Sequence, residues 1–87
     1  MSHAHHVGMR ERLKKAVRAH DGAHRFLSIA QAKLDEARTD VERGVRSTND
    51  YDYKLRRERV AGWEHKLAAA RDELDAARRE VIDTAWR

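Results

Sequence analysis

The side chains of this chain that could do chemistry are histidines, carboxylates and arginines. Cysteine is absent, which excludes thiolate nucleophiles, thiolate metal ligands and disulfides. His20 and His24 stand four residues apart, a spacing that puts two imidazoles on one helical face where they could share a metal ion. Two ligands fall short of a closed site, and Asp21 is expected to point elsewhere around the helix. The favoured reading makes His20 a partly buried member of a helix seam, and no metal site is assigned. His3, His5 and His6 read as a solvated tail in preference to weak copper or nickel ligands.

Little in the sequence suits catalysis. It contains no glycine-rich phosphate loop, no His-Glu-x-x-His and no Gly-x-Ser-x-Gly. Carboxylates such as Asp35, Glu36, Asp72 and Glu73 lie near arginines in patterns that suit solvated ion pairs. A thin helical protein also lacks a pocket in which to shift their pKa values. The expectation is therefore no catalytic residue, no cofactor and no enzyme.

The basic residues carry more information. With 19 Lys and Arg against 15 Asp and Glu, the chain has a formal charge of +4. Arg10, Arg12, Lys14, Lys15 and Arg18 form one cluster, and Arg78, Arg79 and Arg87 another that a hairpin would bring beside it. Together they could contact RNA or DNA phosphates. Against this, Glu11, Glu80 and Asp83 dilute the charge, and no helix-turn-helix, zinc-finger or RNA-recognition motif supplies specificity.

These residues must be positioned by helices. Proline is absent, 39% of residues are charged and few are aromatic, a composition typical of long helices or coiled coils. An apolar seam with alternating steps of three and four runs Leu13, Ala16, His20, Ala23, Leu27, Ala30, Leu34, Ala37, Val41, Gly44. After the polar stretch Ser47-Thr48-Asn49-Asp50 it resumes as Tyr53, Val60, Trp63, Leu67, Ala70, Leu74, Ala77, Val81, Thr84, interrupted by Arg56. Ser47 and Asp50 resemble a capping box. The predicted organisation is a disordered lead over 1–8, then one helical hairpin over 9–87. Its first helix spans about 9–46, its turn 47–50 and its second helix about 50–86. Asp21-Gly22 could break the first helix, but the seam keeps its register there, which favours continuity.

With the larger residues at heptad position a and the smaller at d, a turn centred between Thr48 and Asn49 makes facing residue numbers sum to 97. Nearly every layer then joins a large residue to a small one, as in Leu27 with Ala70, Ala30 with Leu67 and Tyr53 with Gly44, which fills space without voids; Leu34 with Trp63 is the overfull layer and Val41 with Arg56 the weak one. The fold class expected is thus all-α, an antiparallel two-helix coiled-coil hairpin. Beside the seam, at positions g and c, lie Ala19, Gly22, Phe26 and Ile29, with Leu55, Gly62, Ala69 and Ala76 on the same side of the second helix. A lone hairpin leaves Phe26 and Ile29 wet, so this flank is the predicted self-interface, giving a homodimeric four-helix bundle.

The seam, in Leu27/Ala30/Leu34/Ala37 and Leu67/Ala70/Leu74/Ala77, resembles in pattern that of the Rop-type plasmid RNA-binding proteins. The resemblance implies a four-helix bundle dimer. The helices here are longer and no RNA-contacting residue matches, so it implies nothing about function. No apolar run approaches transmembrane length, a signal-peptide core is absent at the N-terminus, and charges ring both helices, so a cytoplasmic protein without a membrane partner is expected. The 14 arginines against 5 lysines, with plentiful alanine, suggest a GC-rich coding genome, bacterial or phage. The function expected is a self-associating helical module that binds another protein as scaffold, adaptor or regulator. The alternative is a basic dimer binding RNA or DNA.

Overall fold

A computed structural model describes residues 2–85, with side chains from Gly8 onward. Two long helices, α1 (Ser2–Glu42) and α2 (Tyr51–Ala85), run antiparallel and are joined by the loop 43–50. The chain measures 64 × 15 × 15 Å and has a radius of gyration of 19.1 Å. A compact chain of this length would have a radius of about 12 Å, so the hairpin is a rod.

Each helix end has a local cause. Gly44 adopts φ +75°, the left-handed conformation that glycine reaches without steric cost. Its amide donates to the Val41 carbonyl at 3.1 Å, and the Val45 amide donates to the Asp40 carbonyl at 2.9 Å. This pair of bonds is a Schellman motif, which satisfies the last carbonyls of α1 and stops it at Glu42. The sequence reading carried this helix to 46 because it placed Gly44 in the seam. The positive φ removes it from the helix altogether.

At the other side of the loop, the Ser47 hydroxyl accepts the Asn49 amide and its carbonyl accepts the Asp50 amide. Asp50 is the N-cap of α2, its Oδ2 accepting the Tyr53 amide at 3.1 Å. Ser47 therefore shapes a turn and does not form a capping box with Asp50. At its start α1 runs back to Ser2, over residues expected to form an unstructured lead. The seam pattern reports burial and not helicity, and extending an existing helix by two turns costs little. The buried seam begins at Met9, as expected. The helix also passes unbroken through Asp21-Gly22, where the adjacent Ala23 is buried and holds the seam.

The register differs from the one read from the sequence. The Thr84 hydroxyl lies 3.4 Å from the Met9 sulfur, and with Arg12–Glu80, Phe26–Trp63 and Lys33–Arg56 this contact sets cross-helix residue numbers that sum to 93 or less, not 97. The shift is one helical turn, and its cause is the early stop at Gly44, which moves the centre of the hairpin from Thr48–Asn49 to Arg46–Ser47. Leu27, Leu34, Val60 and Leu67 share one buried cluster with Ala23 and Ala30. Ala16, Leu74 and Ala77 form a second cluster, with the partly buried Leu13 and Val17 packed against it. Tyr53, expected to fill space above Gly44, instead packs against the first cluster.

Candidate interaction surfaces

The two edges of the seam are built from the residues that flank it. On one edge stand the g positions, Arg12, Ala19, Phe26, Lys33 and Asp40 on α1, facing Asp52, Arg59, Lys66, Glu73 and Glu80 on α2. Here Arg12 reaches across the seam and donates to Glu73 at 3.1 Å and to Glu80. Both carboxylates raise the Arg12 pKa above its ordinary value, the hydrogen bond to Glu73 most of all.

Nearer the turn, Arg46 gathers three carboxylates. Its Nη1 donates to Asp50 at 3.0 Å and to Asp52 at 2.5 Å, and its Nη2 to Asp40 at 3.3 Å, with the Arg46 side chain only 22% exposed. The hydrogen bond from Arg46 holds the Asp52 carboxyl below its ordinary pKa, assisted by the charge of Arg56. Arg56 itself, the interruption in the predicted seam, lies across α1. Its Nη1 donates to the Lys33 carbonyl at 2.6 Å and sits 3.6 Å from Glu36, while its Nε is 3.0 Å from Asp52. Ala37, level with Arg56, has no exposed surface. The sequence reading faced Arg56 with Val41 as a weak layer. In the observed register it ties the two helices together.

The flank expected to self-associate remains at the surface. Phe26 is 48% exposed and Ile29 45%, while Ala19, Gly62, Ala69 and Ala76 are exposed and Gly22 and Leu55 partly so. Phe26 is not alone, however. It stacks on Trp63 with ring centroids 4.9 Å apart and planes 23° from parallel, and the Lys66 ammonium lies 4.4 Å from the centre of the Trp63 ring. Sequence reasoning assigned Trp63 to an overfull layer with Leu34 and missed this stack. The signal was that misfit, since an indole too large for its layer leans out along the edge. A Cβ added at Gly22 or Gly62 would meet nothing within 4 Å, so both glycines border open space.

The basic end is rearranged by the register. Residues 10–18 lie beside 75–83, where the sequence reading had 79–87. Arg10, Lys15, Arg18, Arg78 and Arg79 are exposed there, and Lys14 is 3.6 Å from Glu11. Arg12 is committed to Glu73 and Glu80 and is withdrawn from the set offered to phosphates. Arg87, like Trp86, lies outside the described residues. Contrary to expectation, Asp21 does approach His20, at 3.5 Å from Nδ1, while His24 is exposed. Among the described residues no three His, Asp or Glu side chains gather closely enough to hold a metal ion. No helix among them is long and apolar enough to cross a membrane. Compared with known proteins, the chain matches no family model, no curated protein and no solved structure.

Proposed function

We propose that this hairpin is a non-enzymatic helical interaction module that pairs with a second copy of itself and, as that dimer, binds another protein. The supporting observation is the half-exposed pair Phe26 and Ile29, set beside Gly22 and Gly62 with open space around both glycines. Fully burying such side chains is worth about 1.5–3 kcal/mol each, so covering their remaining halves yields about half that. Small neighbours allow a second helix to come close, and a rod with one thin seam gains most from doubling its core. An isologous pairing of two such flanks would place Phe26, Ile29, Leu55, Ala69 and Ala76 at a four-helix interface.

Light scattering on the wild type and on a Phe26→Glu, Ile29→Glu variant tests the reading. A wild type of about twice the chain mass that falls to monomer in the variant supports it. A wild type that is monomeric at the highest concentration reached overturns self-association.

A further inference from the structure

The two edges of the seam are not equivalent. On the g edge the four cations are matched by Asp40, Asp52, Glu73 and Glu80, and side chains bridge the helices through Arg12. The opposite edge is formed by the e positions. It carries Arg10, Arg38, Arg57, Arg71 and Arg78, with Glu64 as its one carboxylate. All six are exposed. The excess of four positive charges on this line equals the formal net charge of the whole chain.

Ion pairing follows the same division. Among the described residues, every salt bridge between α1 and α2 runs through Arg12 or Arg56, on the g side. On the e edge Arg38 meets only Asp35 of its own helix, at 3.8 Å, and Arg57 lies 5.9 Å from the centre of the Tyr53 ring. Arg38 and Arg57 stand on opposite helices toward the loop end of this edge, and among the described residues neither pairs with a carboxylate across the seam. Such an edge opposes the hairpin's own stability, and an anionic partner would relieve it.

We propose that this edge binds the phosphate backbone of nucleic acid. The inference is independent of self-association, which uses the other flank. Three features select this occupant. The cations on the line are all arginines, whose planar fork matches phosphate oxygens. They extend from Arg10 to Arg38, about 42 Å at 1.5 Å per residue, so the partner must carry regularly repeated charge over that length. The line holds no set of side chains built to read base edges, so contact is with the backbone and is indifferent to sequence.

The test is fluorescence anisotropy with a labelled DNA duplex of about 20 base pairs and an RNA duplex of the same length, titrated between about 50 and 200 mM salt. Three proteins are compared: wild type, an edge variant (Arg38→Gln, Arg71→Gln, Arg78→Gln) and a control with equal charge loss elsewhere (Arg25→Gln, Lys33→Gln, Arg59→Gln). Circular dichroism confirms that all three retain their helices. The expected result is wild-type binding that weakens steeply with salt. In the edge variant the slope on DNA falls by about 2–3, and in the control it does not change. Equal losses in both variants, or no wild-type binding at low salt, would overturn the proposal. So would binding of polyglutamate more tightly than either duplex at matched charge, which would assign the edge to an acidic protein instead.

Discussion

The hydroxyl of Thr84 sits 3.4 Å from the sulfur of Met9, at the end of the rod farthest from the loop. Residues 75 positions apart in sequence thus report a choice made at Gly44, whose left-handed φ stops α1 and sets which residues face one another. The register of the whole hairpin depends on one residue in its loop.

Cross-linking reads that register directly, because the chain has no cysteine of its own. A Met9→Cys, Thr84→Cys protein should form an intramolecular disulfide under mild oxidation, seen as a mobility shift that reductant reverses. Leu13→Cys with Thr84→Cys, the pair that the 97 register would align, should form it far more slowly. The reverse order would restore that register.

The glycines should respond in opposite directions. Gly44→Ala forces a Cβ into a left-handed conformation and should lower stability in urea melts by about 1–2 kcal/mol. Gly22→Ala meets no atom and relieves a helix-interior glycine, so it should raise stability by about 0.5–1 kcal/mol. If the g and c flank pairs two copies, Gly22→Ala should at the same time weaken the dimer by crowding the approach.

The layers of small residues predict intolerance to growth. Ala16 and Ala77 are both buried in one cluster with Leu74, so Ala77→Leu should cost about 1–3 kcal/mol by overpacking. In the 97 register Ala77 faced the partly buried His20, and the same change would have been absorbed. Leu27→Ala, which opens a cavity in the cluster it shares with Leu67, should cost at least about 2 kcal/mol in the same melt.

The Arg46 network gives the hairpin an acid limb. The Asp52 carboxyl is held below its ordinary pKa in the folded state, chiefly by its hydrogen bond from Arg46. Its stabilising contribution is therefore present above the unfolded pKa and is lost as pH falls through the folded value. Denaturation midpoints measured downward from about pH 5 should fall. They should fall less steeply in an Arg46→Met protein, which starts from lower stability at neutral pH. Parallel slopes in the two proteins would show that Asp52 is not coupled to Arg46.

The hairpin was legible in the sequence because its seam is periodic. Alternating steps of three and four marked Leu27, Ala30, Leu34, Leu67 and Leu74 as inward residues, and all are buried. The register was not legible, because Gly44 satisfied the seam spacing and the Schellman stop at once, and spacing alone does not reveal φ. On the surface, the exposed flank of Phe26 and Ile29 followed from their heptad positions. The commitment of Arg12 to Glu73 and Glu80 did not, since it depends on which residues lie level once the register is set. Arg56 was hidden for a related reason. A charged residue at a seam position reads as a defect until the carbonyl of Lys33 and the carboxylates of Glu36 and Asp52 are found around it.

The tight loop also gives the molecule a direction in time. Closing a loop of a few residues costs little entropy, whereas joining Met9 to Thr84 without it would mean closing most of the chain. Folding should therefore start at the clasp formed by Gly44, Arg46 and Asp50 and zip toward the far end, with α1 and α2 lengthening together. Unfolding should retrace that path, with amide protons near Met9 and Thr84 exchanging first and those around Leu34 and Val60 last. The rod opens like a pair of tongs, hinged at one end.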